Sequence, residues 1–338
     1  MKVAVVGYGY WGSKHVRVLS SLPEVEVHVV DPDAVRRQHS AQAFPGVEVH
    51  RTLEDVVDGL DGAVVATPAR SHAALAGRLL ELGVATLVEK PLGVSSDECR
   101  ALIAAAERAG TKLMVGHTFE YNAGVAKVRE LIDGGDLGDV LYVETARLNL
   151  GLYQQDVSVL WDLGPHDISI LNFLLRARPT AVNATARAHR GRGQADVATL
   201  ELHYGTIGVT AYSRLSWLSP EKVRRVTVVG SRKMCVNNDT SNERVRVYDA
   251  GVDEPDAEDR FQDPPFQYRY GDILSPHVAF EEPLLVEDRH FIECIAHDKT
   301  PDTDGASGLA VVETLEAAER SIREGRTMAV GHTGAVRR

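Results

Sequence analysis

Short runs of aliphatic and β-branched residues alternate with amphipathic stretches through roughly the first 118 residues. The apolar runs lie at 3–6, 25–30, 63–67, 84–88 and 112–115. Helical patterns fall between them, at 11–21, 33–43, 71–82 and 95–109. The last of these opens with Ser95-Ser96-Asp97-Glu98, which reads as a capping box. Continuous Val-rich strands separated by helices predict a parallel sheet covered on both faces.

After Gly116 the rhythm changes. A helix at 121–134 precedes longer alternating segments at 139–148, 180–189, 196–204, 207–216, 222–230, 233–238 and 243–248. Strands with short connections predict a mostly antiparallel sheet. Helices are expected at 165–176, 288–297 and 306–323. The class is therefore α/β: a parallel-sheet domain over 1–118, then an α+β domain over 119–338.

Gly7-Tyr8-Gly9-Tyr10-Trp11-Gly12 follows the first strand and opens the first helix. In that context G-x-G-x-x-G predicts a dinucleotide-binding turn. The first glycine permits the turn, the second lets backbone approach a pyrophosphate, and the third lets helix and strand pack closely. The helix N-terminus faces the anion. Asp31 lies 22 residues after Gly9, at the end of the second strand, where a carboxylate accepts the ribose hydroxyls and repels a 2′-phosphate. This favours NAD over NADP, although Arg36 and Arg37 in the next helix are capable of gripping a 2′-phosphate.

Two other strand ends carry unusual residues, Ala66-Thr67-Pro68 and Glu89-Lys90-Pro91. Ligands of open parallel sheets bind outside the carboxyl ends of the strands. Both X-Pro steps are candidates for the cis form. Further on, Trp161-Asp162-Leu163-Gly164-Pro165-His166 precedes a strongly apolar run. Pro165 reads as the first helical residue, which puts His166 in the first turn. There the helix dipole disfavours the imidazolium and leaves a neutral base, while the charge of Asp162 acts in the opposite sense. Because Asp162 would then precede the helix, the i,i+4 argument does not apply to the pair.

Composition narrows the classes. The chain has 338 residues, 44% hydrophobic and 25% charged, which excludes a disordered, collagen-like or disulfide-scaffold protein. The formal charge of −11 argues against a nucleic-acid or anionic-membrane partner. Nearly half of that excess falls between Val252 and Pro265, which reads as a solvated loop, and the tail after Gly331 reads as frayed. Cys99, Cys235 and Cys294 are widely spaced, which suggests neither zinc nor disulfides and fits a reducing compartment. No apolar run reaches about 18 residues, and no signal-peptide pattern is seen, so a cytoplasmic location is expected.

GYGYWG, Asp31, ATPARSH at 66–72, the EKP tripeptide and the D-x-x-x-H of Asp162 and His166 together resemble the Gfo/Idh/MocA oxidoreductases. These are the relatives of glucose–fructose oxidoreductase and inositol dehydrogenase. The resemblance covers essentially the whole chain. It implies a Rossmann domain followed by an open-faced sheet domain that binds substrate and serves oligomerisation, with a homodimer or homotetramer expected. It implies that NAD is held by Gly7, Gly9, Tyr10, Trp11, Gly12, Asp31, Thr67, Pro68, His72, Glu89 and Lys90. It makes Lys90, Asp162 and His166 the catalytic set. His166 would take the hydroxyl proton and Lys90 would stabilise the same oxygen, though these two roles are exchangeable.

GHTFEYN at 116–122, SWLSPEKVRRVTVVGSRKM at 216–234 and YRYGDI at 268–273 are similar to a branch of sugar-nucleotide dehydrogenases acting at C3 of UDP-N-acetylglucosamine-type substrates. Ala123, where that branch usually has Pro, and Asn237-Asn238 depart from it. Arg147, Asn149 and Trp161 would line the sugar pocket. Lys222, Arg224 and Arg225 form a basic cluster that suits either a diphosphate or a solvated strand face. Trp217 and Tyr268 are expected in the core or an interface. The alternatives within this resemblance are an inositol, aminocyclitol or free-sugar dehydrogenase, an NAD-dependent glycosidase, and a non-catalytic NAD-sensing regulator.

Overall fold

The computed structural model describes residues 1–151, 153, 157–190, 193–253 and 266–331. The acidic stretch beyond Asp253 and the tail after Gly331 lie outside the described residues. Contacts divide the chain into two units. One comprises Met1–Tyr121 and Glu281–Glu316; the other comprises Asn122–Phe280 and Ala317–Arg338. The segment 281–316 therefore packs with the N-terminal unit, a return that one boundary near residue 118 leaves out.

The N-terminal unit is built on six parallel strands: β1 (Lys2–Val6), β2 (Glu26–Val30), β3 (Glu48–His50), β4 (Gly62–Val65), β5 (Ala85–Glu89) and β6 (Leu113–Gly116). Their order is β3-β2-β1-β4-β5-β6, with the reversal of strand order between β1 and β4 that defines a doubly wound sheet. Helices α1 (Tyr10–Leu19), α2 (Ala34–Ala43), α3 (His72–Glu81) and α4 (Ser96–Ala109) make the crossovers. Val3, Val5, Val27, Val29 and Leu87 from the strands meet Val16 and Leu19 of α1 in the core. Phe291 and Ile292 of a late helix, Pro283–Ala296, complete it. The short β3 carries too few apolar residues for periodicity to reveal. Ser95 caps α4 by accepting the Glu98 N–H, but the Glu98 carboxylate bonds the N–H of Val94, so half of the expected box forms.

The second unit contains a nine-stranded sheet, ordered β14-β13-β12-β11-β7-β10-β9-β8-β15. Its members are β7 (Val140–Leu150), β8 (Ala181–Arg187), β9 (Val197–Tyr204), β10 (Val209–Ser216), β11 (Leu218–Gly230), β12 (Met234–Asn238), β13 (Val245–Asp253), β14 (Gln267–Leu274) and β15 (Met328–Ala329). All pairs are antiparallel except β7 with β10. Strand β9 shows how one face is covered: Ala198, Leu200, Leu202 and Tyr204 are buried, whereas Thr199, Glu201 and His203 are not. Two helices, α5 (Ala123–Asp133) and α6 (Val159–Leu175), belong to this unit. The strand β14 was not expected from its pattern, because nearly all of its residues are exposed and it lacks an apolar face. The late helix at Pro283–Ala296 is α7, and the division between the units falls within α8 (Gly305–Glu324).

Helix α6 corrects an expectation. It starts at Val159 with Ser158 as N-cap, so Pro165 lies inside it and His166 is its eighth residue rather than in its first turn. A proline inside a helix costs about 3 kcal/mol through a missing N–H and a clash with the carbonyl four residues back. Complete burial of Val159 and Leu160 in the preceding turn offsets that cost. Among the described residues, no helix is long and apolar enough to cross a membrane.

Candidate active site

The glycine turn has the shape that an anion requires. Gly7 adopts φ +94°, and a Cβ on Gly12 would collide with the Gly7 carbonyl oxygen, so helix and strand meet only because neither has a side chain. Gly9 faces open space and caps α1 without a side-chain hydrogen bond, which leaves the first N–H groups of the helix open to water or an anion. Asp31 ends β2, buried, and its carboxylate accepts the N–H of Tyr8 and of Asp33, each at 2.8 Å. Arg36 approaches that carboxylate to 3.6 Å, and Arg37 donates to the Asp31 carbonyl oxygen. Tyr10 is exposed at the start of α1, edge-on to Trp11. These features fit a dinucleotide.

At the ends of β4 and β5, His72 is buried with one ring nitrogen 2.8 Å from the Thr67 carbonyl oxygen and the other 2.8 Å from that of Pro91. It ties the two strand ends together rather than presenting itself to a ligand. The Ser71 hydroxyl donates to Thr67 Oγ1, next to Pro68. Lys90–Pro91 is the cis step; Thr67–Pro68 is trans. Half-buried Lys90 follows β5 directly, and its peptide N–H donates to Glu89 Oε2.

Glu89, expected at the cofactor, turns inward. Its Oε1 lies 3.1 Å from His15 Nε2, and His15 Nδ1 lies 2.8 Å from Asp288 of α7. Burial alone would push His15 down, but the Asp288 carboxylate, then Glu89, hold it well above its usual value. Burial likewise opposes ionisation of Glu89, yet the His15 bond and charge, with Lys90, keep its carboxyl below the usual range. Glu287, also buried, is pushed well up by burial and then by the charge of Glu89; its Oε2 accepts the Thr118 hydroxyl. Buried His117 is pushed down to about 4 by burial. Sequence reasoning missed this group. His15, three residues after Gly12, carried the one local hint, a histidine on the core face of α1.

In the second unit, Asp162 and His166 lie one turn apart on α6, so the i,i+4 relation does hold. With His166 beyond the first turn, the dipole argument for a neutral imidazole lapses. Asp162 Oδ2 accepts the indole N–H of Trp217 at 3.1 Å. Trp217 is fully buried, as expected, and its link to Asp162 is new. The Trp161 indole donates instead to Glu319. Buried Arg147 donates to Asp167 at 2.7 Å, and Asp167 also accepts the Ser213 hydroxyl. Asn149 Oδ1 is buried with no hydrogen-bond partner among the described residues.

The basic cluster is divided. Arg224 stands opposite Arg147 in the β7–β11 register and lies 3.5 Å from Asp239. Arg225 points to the other face, as strand alternation requires, and Lys222 is exposed where the register shifts. Tyr268 is exposed on β14, not in the core. Asn237 is buried against Gly124, with Asn122 capping α5 beside it.

The family profile described as "Oxidoreductase family, NAD-binding Rossmann fold" matches residues 1–117, and "GFO/IDH/MocA C-terminal domain" matches 125–236. The chain belongs to the Gfo/Idh/MocA oxidoreductases. It is 26% identical over 341 residues to D-apiose dehydrogenase of Paraburkholderia graminis, covering 97% of this chain and 89% of that protein. It is 26% identical to UDP-N-acetylglucosamine 3-dehydrogenase of Acidithiobacillus ferrooxidans, over 92% and 94% of the two chains. Among solved structures it is similar to GenD2 from gentamicin A biosynthesis in complex with NAD, at 28% identity and TM-score 0.83, covering 98% and 97%. As a member of this family, the protein is an NAD-dependent oxidoreductase.

Proposed function

We propose that this oxidoreductase interconverts a secondary hydroxyl and a ketone on a sugar, most specifically at C3 of a UDP- or dTDP-linked hexose. The observation that carries this reading is the Asp162–His166 pair, one turn apart on α6 and steadied by Trp217. Bound NAD would supply the hydride-accepting chemistry. The residues placed to hold it are the glycine turn and Asp31.

His166 then takes the hydroxyl proton as general base, and Asp162 orients it. Lys90, directly after β5 in the N-terminal unit, is the residue assigned to stabilise developing negative charge. The orphan Asn149 Oδ1 accepts a substrate hydroxyl. A second reading, a free sugar or polyol without nucleotide, is favoured by the pairing of Arg147 with Asp167 and of Arg224 with Asp239. That pairing leaves less basic charge for a diphosphate.

The test is absorbance at 340 nm with NAD and UDP-hexoses, dTDP-hexoses, UDP-N-acetylglucosamine, glucose, glucose 6-phosphate and myo-inositol. NADH growth with nucleotide sugars alone supports the first reading, and growth with free polyols the second. Lys90→Met should abolish turnover on the active substrate while NAD binding persists. Turnover within about twofold of wild type would sink the assignment of Lys90. We also infer a cytoplasmic homodimer or homotetramer. The exposed Tyr142 and Tyr212, in edge-to-face contact on the sheet, support self-association, and light scattering in solution tests it.

A further inference from the structure

The triplet Glu-Val-His occurs twice in the N-terminal unit, at 26–28 on β2 and at 48–50 on β3. The strands pair in parallel with His28 opposite Glu48 and Val30 opposite His50, so the repeats bring two imidazoles and a carboxylate together at the sheet edge. His28 Nδ1 lies 3.0 Å from His50 Nε2. Glu48 Oε2 lies 3.6 Å from the first nitrogen and 3.9 Å from the second. A triangle with these sides has a centre about 2.1 Å from all three atoms, the length of a Zn–N or Zn–O bond.

We propose that His28, His50 and Glu48 form a divalent transition-metal site that clamps the edge strand β3 to β2, with Zn²⁺ the metal its ligand set suits best. Two imidazoles and one carboxylate select a borderline first-row ion over Mg²⁺ or Ca²⁺, and three protein ligands leave one position for water.

The surroundings support ligation. Glu26 Oε1 lies 3.0 Å from His28 Nε2, so the proton sits on Nε2 and the lone pair on Nδ1, facing His50 and Glu48. This carboxylate–histidine pair is the outer-shell arrangement that orients metal-bound imidazoles. His28 is buried and its ring is held in place, whereas Glu48 is mostly exposed and offers the entry path. The His50 carbonyl oxygen accepts the N–H of Asp31, so the clamp adjoins the ribose-binding acid through one backbone bond.

The experiment uses the full, untagged chain stripped with chelator. Zn²⁺ is titrated against a chromophoric competitor, and Co²⁺ is followed by its visible absorption. One equivalent should bind per chain. His50→Gln and Glu48→Gln should each weaken affinity at least about tenfold, and Glu26→Ala by about tenfold through the lost outer-shell bond. Retained NAD binding shows that each variant is folded, and exposed Glu48 is the substitution least able to disturb folding. Less than one equivalent taken up at ~10 µM free Zn²⁺, or His50→Gln and Glu48→Gln binding as tightly as wild type, overturns the proposal.

Discussion

The imidazole of His15 stands 3.1 Å from the carboxylate of Glu89, the residue immediately before Lys90. His15 comes from α1, just past the glycine turn, and Glu89 from the end of β5. The helix that starts the nucleotide site is thus bonded to the strand end that presents the lysine. Replacing His15 by Leu removes the cation between two buried carboxylates. The expected cost is about 3–5 kcal/mol, the range for breaking a buried ion pair. Urea unfolding followed by circular dichroism measures it. A loss under about 1 kcal/mol would show that the pair contributes little.

His117 sets part of the acid limb of stability. Its pKa falls from 6.5 to about 4 on folding, because the buried ring cannot carry charge. Between those values the unfolded chain binds a proton that the folded chain does not, so stability falls as pH drops, by about 3 kcal/mol in all. Glu89, held low, adds loss below its ordinary range. His15 has the opposite sign: its contribution is full below 6.5 and is lost as pH rises through its raised pKa. The His117 ring nitrogens have no hydrogen-bond partner among the described residues, so Leu is a mild replacement. His117→Leu should flatten the melting temperature between pH 6.5 and pH 4.5. An unchanged acid limb would remove His117 from the account.

On the proposed reading Asp31 selects the unphosphorylated cofactor by charge, and Arg36, 3.6 Å from its carboxylate, would serve a 2′-phosphate once that charge is gone. Asp31→Ser should weaken NAD about tenfold or more and move the NADP-to-NAD preference toward NADP. Calorimetric titration with both cofactors reads this out. NAD affinity unchanged in the variant would contradict the role given to Asp31.

Trp217 holds Asp162 through its indole N–H. Trp217→Phe keeps most of the packing and deletes that donor. We expect kcat/KM to fall about tenfold, the worth of one hydrogen bond to a charged group, with NAD affinity unchanged. An equal loss of NAD binding would point to general damage instead.

How much of this was legible without the fold depends on the range of the interaction. Hydrophobic period and the spacing of Gly7, Gly9 and Gly12 are local, so they identified both sheets, the cofactor turn and Asp31 from neighbouring residues alone. Lys90, Asp162 and His166 are proposed from motifs, whose residue types and spacing can be read without coordinates. The start of α6 was not. Gly164-Pro165 is a strong local stop, and only the burial of Val159 and Leu160 against the rest of the unit carries the helix through it.

Partnerships at long range were equally invisible. His15 and Asp288 are 273 residues apart, and nothing near α7 announces that its buried acids belong with α1. Basic residues that looked clustered at 222–225 were divided by strand alternation and by acids from elsewhere in the unit. Sequence alone determined most of the elements and the glycine turn, since these follow from local periodicity and backbone conformation, but not β3 or β14, which carry too little apolar pattern. Tertiary structure decided which charges meet, because burial of charge is tolerated only where packing brings a partner.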